Sequence, residues 1–343
     1  MPSTASLIVV NYHSSSLAID AIRTARAATR NPLQVIVVDN SVASNEADAL
    51  RPHADILIAP DVNLGYGAAI NRARSNCDGE ILIAANADVL FGDRAIDLLV
   101  ESGADVAGPA LFWDDAFKWI LPPSDLHTAG DALDSAIAGR SVRWQRSRDR
   151  QRIQRRLDFW SLRQSTPVAA ISGAIMAIRT SAFDRLGGFD QRFHLYFEEI
   201  DFQRRLRGGI LYVPDARCRH IYNQSAAGSD AAAAAYGRSE MEYLTKWSGA
   251  RIARWLKSID RERTAGSAEP LEGDIPIERS GLVLEASPLP SFETAAGHYP
   301  TASTVSIPDE VWRAYRSDKL YLRLIQASSA RVVQTYLRAR IPA

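Results

Sequence analysis

Cysteine is scarce in this 343-residue chain, with only Cys77 and Cys218 present. Two such residues, far apart, form neither a disulfide framework nor a metal-ligand spacing. A stapled secreted scaffold is therefore excluded, and a reducing cytoplasm is the expected compartment. A surplus of charge is also missing: 40 Lys and Arg balance 40 Asp and Glu. Nothing global then attracts nucleic acid or an acidic partner, and no nucleic-acid partner is expected. No apolar run reaches the roughly 18–20 residues of a spanning helix. The opening MPSTASLIVVNYH has neither the basic start nor the long apolar stretch of a signal peptide, and SLIVV reads as a first buried strand. Neither GxGxxG nor GxxxxGK[ST] occurs, so dinucleotide-fold and P-loop readings lack their fingerprints. Internal repeats are absent as well. What remains is an ordinary globular composition, 46% apolar and 23% charged. It suits one large domain, or one large and one small.

The first ~110 residues alternate in pattern. SLIVVNY (6–12), QVIVVDNS (34–41), DILIAP (55–60) and GEILIAANADV (79–89) read as strands. Helical stretches fall at Ser16–Thr29, after the glycine turns of VNLGYGAAINRARSN (62–76), and around Arg94–Glu101 before ADVAGPAL (104–111). Continuous Val/Ile/Leu strands between helices predict an α/β fold with a mostly parallel, doubly wound sheet. Ligands of such sheets sit beyond the carboxyl ends of the strands. That rule points to Asn11–Tyr12, Asp39–Asn40, Pro60–Gly65 and Asn86–Asp88.

The middle of the chain changes character. SVRWQRSRDRQRIQRRLDFW (141–160) is dense in arginine, which fits either a solvated helix or excursion, or a basic face near an acceptor phosphate or anionic membrane. Residues 226–260 read as helix, and AGSAEPLEGDIP (265–276) as linker. SGLVLEA, STVSIP, LYLRLIQ and ARVVQTYLRARI then read as short strands. The expected organisation is one large unit over 1–260, in two halves divided near residue 110. A linker over 261–278 and a small β-rich appendage over 279–343, of unread role, complete it.

Several positions carry chemistry. In Asn86-Ala87-Asp88, a carboxylate and an amide carbonyl at a strand end offer hard oxygen ligands suited to Mg²⁺ or Mn²⁺. One carboxylate suffices for such an ion if the substrate brings a diphosphate; the alternative is a helix cap. Asp39 can accept hydrogen bonds from a nucleobase or ribose, or serve its own turn. In NLGYGAAIN, Gly65 allows a close backbone approach while Asn63 and Asn71 can hydrogen-bond to a ligand. In FHLYFEEIDFQRRL (193–206), Glu198, Glu199 and Asp201 sit among large apolar side chains. Desolvation there raises a carboxyl's pKa toward what a general base needs, and three acids so close require a cation or an arginine nearby. His220, with Ser225 close behind, can ligate a metal, contact phosphate, or be structural.

Taken in order, VVNYHS, VIVVDNS, NLGYGAAIN, LIAANADV, ISGAIMAIRTSAFDRLGGFDQRF, LYFEEIDFQRRL and the closing His220 resemble the inverting family 2 glycosyltransferases of the type-A fold. The resemblance spans roughly residues 5–245, is strongest to the bacterial rhamnosyltransferase-like branch, and implies that 1–260 is a catalytic domain with a nucleotide-sugar half to about 110 and an acceptor half over about 111–260. It implies that Asp39 contacts the nucleoside and that Asn63 and Gly65 lie along its pocket. It implies that Asp88 meets the metal and diphosphate, with His220 near them. Glu199 stands where the family has an Asp acting as base, flanked by Glu198 and Asp201. The segment ending at Phe193, Gly173 included, is expected to shape the acceptor side. Asn-Ala-Asp replaces the Asn-Pro-Asp or Asp-x-Asp usual in the family, and Glu199 is one methylene longer than its counterpart.

The implied reaction is a single displacement at the anomeric carbon of a nucleotide-diphospho-sugar, dTDP-rhamnose being favoured by branch. The attacking hydroxyl belongs to a glycan or lipid-linked glycan acceptor in surface polysaccharide assembly, met in the cytoplasm or at the inner face of the membrane. A non-catalytic nucleotide-sugar or carbohydrate-binding protein is the alternative. Nucleotidyl transfer to sugar phosphates would call for a basic glycine-rich loop, which NYHSSSLAI does not supply.

Overall fold

The computed structural model describes residues 5–220, 230–260, 268–314 and 317–339. Four strands begin the sheet: β1 (Ala5–Asn11), β2 (Leu33–Asp39), β3 (Ile56–Ile58) and β4 (Ile81–Asn86). They run parallel in the order β3-β2-β1-β4. Helices α1 (Ser15–Ala27), α2 (Ser44–Leu50) and α3 (Tyr66–Arg74) connect them. Alternation along the strands explains why both faces are covered. Leu7, Val9, Val35, Val37, Ile83 and Ala85 pack with Ala18, Ala21, Ile22 and Ala25 of α1. Their sequence neighbours Ile8, Ile36, Val38, Leu82 and Ala84 pack with Ala69, Ile70 and Ala73 of α3 on the other face.

The sheet continues through β5 (Val89–Phe91), β6 (Val106–Phe112), β7 (Thr166–Pro167), β8 (Ile175–Arg179) and β9 (Ile210–His220), with α4 (Ala95–Glu101) between β5 and β6. Strand β8 enters antiparallel between β4 and β6, β9 lies parallel to β6, and β5 and β7 pair antiparallel with β9. The result is a mixed α/β fold built on a largely parallel sheet. The run 79–89, read from sequence as one strand, is two: β4 stops at Asn86, and Val89–Phe91 leaves to pair with β9. That break makes Asp88 part of a turn.

Helices α5 (Ala129–Ala138), α6 (Val142–Trp160), α7 (Thr180–Arg185), α8 (Glu198–Leu206), α9 (Asp230–Ser248) and α10 (Ala250–Ile259) complete the larger part. The arginine-rich stretch is the helix α6: Arg143, Arg146, Arg150 and Arg155 are exposed, as the solvated-helix reading has them, while its other side is buried. Ile153, Leu157 and Trp160 pack on Val283, Ile325 and Ala330, and Arg156 is 4% exposed. Its neighbours there are the strands of the C-terminal sheet: β10 (Glu269–Pro270), β12 (Leu282–Ser287), β13 (Ala296–His298), β15 (Lys319–Gln326) and β16 (Arg331–Ala339). A separate pair, β11 (Ile275–Pro276) with β14 (Thr304–Val305), and the helix α11 (Asp309–Ala314) lie alongside in sequence. Short strands β10 and β11 thus fall within the stretch read as linker, part of which is outside the described residues. Among the described residues no helix is long and apolar enough to cross a membrane. Burial pushes the Cys218 thiol up to about 12, which keeps it protonated and inert.

Candidate active site

Parallel register places the strand ends side by side. Asn11 pairs with Asp39, and Val10 with Asn86; two strand spacings therefore separate Asp39 from Asn86, roughly 10 Å. The polar ends then organise one another. Asn11 is fully buried; its Nδ2 donates to Asp39 Oδ1 at 2.9 Å and to Glu46 Oε2 at 3.0 Å. Asn11 Oδ1 accepts from the Ser14 backbone and hydroxyl. The sequence places Asn11 against the nucleotide, but burial and saturation make it the bracket that fixes Asp39. The neighbouring Asn40 holds the glycine turn: its Nδ2 donates to Gly65 O at 3.1 Å, while Gly65 N donates to Asn63 Oδ1 at 2.8 Å. Gly65 has φ +81°, and a Cβ there would overlap the His194 carbonyl. Asn71 is a further correction. Both its amide groups bond the Phe189 backbone, at 2.8 and 2.9 Å, so it ties α3 to the loop before α8 instead of facing a ligand.

On the other side of β4, Asn86 N donates to Ala174 O at 2.9 Å, which brings Gly173 beside the donor-side strand end. Because β5 pairs with β9 through Val89 and His220, His220 Nε2 lies 3.4 Å from Asp88 Oδ1. Neighbouring ligands of an octahedral Mg²⁺-sized ion stand about 3 Å apart. The two side chains therefore fit as adjacent ligands of one such ion. Among the described residues no group of three or more His, Cys, Asp or Glu could hold a metal by itself, so a diphosphate and water would fill the rest of the shell. Ser225 lies outside the described residues.

The acidic segment forms the start of α8. Tyr196 and Phe197 both have positive φ, 69° and 70°, immediately before Glu198; this unfavourable backbone turns the helix N-terminus inward. Glu198 and Glu199 occupy the first turn, where the helix dipole favours negative charge. Burial pushes Glu198 well above the ordinary carboxyl range, with the Glu199 charge adding to it. Burial also raises Glu199, opposed by hydrogen bonds from its own N–H and that of Ile200. The two interact, so the charge on one raises the other, and the pair resists ionising together. Each has one buried oxygen, Oε2, with no hydrogen-bond partner. Gly173 is required here: a Cβ would stand 2.7 Å from Glu199 Cγ. Gly67 plays the same part for Glu198, whose Cβ would lie 3.2 Å from it.

Asp201 is different from its two neighbours. It is fully buried, with Oδ2 paired to Arg205 at 2.8 Å and Oδ1 to Lys246 at 2.6 Å and Trp247 Nε1 at 2.9 Å. With both oxygens engaged by cations or an indole N–H, it fastens α8 to α9. Phe193, expected on the acceptor side, is 1% exposed and packs with Phe197 and Tyr243. Phe193, Phe197 and Phe202 are core beneath the carboxylates, while Tyr196 is half-buried.

Sequence reasoning missed Tyr66. Its hydroxyl donates to Gly173 O at 3.1 Å, and burial together with the charges of Glu198, Glu199 and Asp88 pushes it well above the ordinary tyrosine value. It therefore stays protonated, between the carboxylate pair and the Asp88–His220 pair. Its one signal in the sequence is a large polar aromatic between two glycines, Gly65 and Gly67. Lys246 and Asp190, 2.8 Å apart, are also unread in the sequence; Arg192 and Lys246 hold Asp190 well below the ordinary carboxylate range.

A family model described as glycosyltransferase-like family 2 matches residues 2–238. N-acetylglucosaminyl-diphospho-decaprenol L-rhamnosyltransferase of Mycobacterium tuberculosis is 28% identical over 267 residues, covering 70% of this chain and 82% of that protein. Among solved structures, a mannosyltransferase from Pyrobaculum calidifontis in complex with GDP-Man and Mn²⁺ is similar with TM-score 0.46 and 15% identity. It covers 75% of this chain and 70% of its own. GalNAc-T7 with UDP, GalNAc and Mn²⁺ gives TM-score 0.47 and 14% identity, covering 76% of this chain and 55% of its own.

Proposed function

The chain belongs to glycosyltransferase-like family 2 and is a glycosyltransferase, and on that premise we propose inverting transfer of rhamnose, from dTDP-rhamnose, to a hydroxyl of a lipid-linked glycan in surface polysaccharide assembly. The relative that acts as a rhamnosyltransferase on a diphospho-decaprenol-linked sugar supports the choice of donor sugar and acceptor. The observation that carries the reaction type is the unpartnered Oε2 of Glu199, buried against Gly173 beside the Asp88–His220 pair.

Asp39, held by Asn11 and Ser41 N, receives the nucleoside, and the Asn63–Gly65 turn lines its pocket. Asp88 and His220 would hold Mg²⁺ or Mn²⁺, whose positive charge, when bound, offsets that of the departing diphosphate. Glu199 Oε2 accepts the proton of the acceptor hydroxyl as its oxygen attacks the anomeric carbon from the face opposite the leaving group, and the configuration inverts. Tyr66 holds that pocket in place through its hydrogen bond to Gly173 O. A lipid-linked acceptor places the chain at the inner face of a membrane. Ile252 and Trp255, exposed on α10 among Arg251 and Arg254, support that location.

Glu199→Gln is expected to lower transfer by at least about a thousandfold, at the strong end of general-base effects, while nucleotide-sugar binding stays near wild type by calorimetry. Wild-type-like turnover would remove Glu199 from the role of base. Asp88→Ala should abolish the Mn²⁺-dependent part of donor affinity; an unchanged metal response would unseat that assignment.

A further inference from the structure

A cavity of about 1200 Å³ opens where α5, α6, α9 and α10 face the C-terminal sheet, away from the strand-end site. One wall is the arginine helix. Arg148, Arg152 and Arg156 recur at intervals of four, so they stack on one face of α6. Arg156 Nε donates to Glu285 Oε1 at 2.6 Å, yet its Nη2 is buried with no hydrogen-bond partner. The Arg148 side chain is 11% exposed and pairs through Nε with Asp134. Its Nη1 is also buried without a hydrogen-bond partner, the Glu293 carboxylate standing 4.0 Å away. Arg152 Nη1 reaches the same Glu293 oxygen at 2.7 Å. The hydroxyl of Thr294, across the cavity, is the third buried polar group without a partner.

Two guanidinium N–H groups and a hydroxyl, all donors and all lacking acceptors, are complementary to an oxyanion. Asp134 and Glu285 already offset the two guanidinium charges, so what is left over is donor capacity, of which a neutral sugar hydroxyl would satisfy at most one group. A phosphoryl group has several acceptor oxygens and matches the guanidinium fork. The cavity also reaches the catalytic helix. His127 and Tyr236 line it, and both rings lie 5.2 Å from that of Phe197, the residue before Glu198.

We propose that this cavity is a second binding site, in which Arg148, Arg156 and Thr294 hold a phosphoryl group of the acceptor while its sugar reaches Glu199. The site lies beyond the carboxylate and metal pairs, and its role in acceptor binding rests on the reading of the acceptor as phosphoryl-linked. The C-terminal strands contribute to it directly, because Glu285 on β12 links Arg156 to Arg323 on β15. The Oε1 and Oε2 atoms of that one carboxylate accept from the two guanidinium groups, each at 2.6 Å, and so orient Arg156.

The first test uses inorganic pyrophosphate with an Asp88→Ala protein in chelator, which silences the strand-end site. Pyrophosphate should raise its melting temperature, and adding Arg148→Gln or Thr294→Val should weaken binding about tenfold each. Thr294→Val removes a buried hydroxyl without a partner, so its unliganded form should melt no lower than the parent; weakened binding then cannot be laid to misfolding. The second test compares, in the otherwise wild-type chain, a prenyl-diphosphate-linked sugar with the same sugar as an alkyl glycoside. Arg148→Gln and Thr294→Val should raise KM for the first about tenfold, leaving kcat and the alkyl glycoside unaffected. No pyrophosphate shift, or a shift insensitive to both substitutions, would overturn the site. Binding without the KM change would reduce it to a site for free anions and overturn the acceptor role. The pyrophosphate arm needs no turnover, so an error in the assigned reaction shows up separately, as loss of transfer to both acceptors.

Discussion

Glu198 and Glu199 share one buried setting at the start of α8. Both are raised by burial, so each binds its proton more tightly folded than unfolded. Their cost to stability is absent below the ordinary glutamate range and grows as pH rises through the raised values. Glu198→Gln, which cannot ionise, should therefore melt above wild type at pH 8, and the gap should close as pH falls to about 4. A gap that is constant with pH would mean that Glu198 carries no raised pKa. The same shift on Glu199 sets the acid limb of kcat/KM above the ordinary glutamate value of 4.5. Lys246 has the opposite character. It bridges Asp190 and the fully buried Asp201, so Lys246→Met should cost about 2 kcal/mol in urea unfolding by removing charged hydrogen bonds, Arg205 and Trp247 still holding Asp201. Asp201 illustrates what composition alone conceals: three acids in four positions look equivalent, and only their neighbours separate a base from a fastening.

At the scale of elements, α6 decides how the C-terminal strands attach. Trp160 is 1% exposed and donates Nε1 to Leu121 O at 3.0 Å. Its ring lies flat over Gly297, where a Cβ would come within 2.5 Å of it. Gly297→Ala should lower stability by roughly 1–3 kcal/mol through forced repacking of that ring, measured by urea titration. An unchanged midpoint would show that the ring moves aside freely. The periodicity of α6 is readable as helix, but its burial is not. Arginine favours water unless a carboxylate meets it, and the partner, Glu285, is 129 positions away. The strand-end turn is similar. GEILIAANADV reads as one apolar run, and the switch of Val89–Phe91 onto β9 depends on a partner more than a hundred residues later.

For the whole molecule, the C-terminal sheet and the sugar-transfer part share contacts on several elements. Ile120 and Gly297 exchange backbone hydrogen bonds at 2.9 and 2.8 Å, and Trp119 stacks on His298 with ring centroids 4.9 Å apart. We expect a single cooperative thermal transition for the full chain. Two separate transitions, with the C-terminal strands melting on their own, would contradict that expectation.

The sequence by itself determined the doubly wound start of the fold, because alternating burial on strands and helices is a local property of residue order. It likewise offered Asp39, Asn63, Asp88, Glu199 and His220 as candidates, since polar residues at strand and helix ends can meet a ligand as well as serve a turn or cap. Only the tertiary structure decided which strand ends and side chains stand side by side. Parallel register aligned Asn11, Asp39 and Asn86, and β5–β9 pairing brought His220 to Asp88. It also withdrew Asn71, Phe193 and Asp201 into structural contacts and supplied Tyr66 between the two pairs. Such outcomes depend on contacts between residues far apart in the chain, which no window of sequence contains.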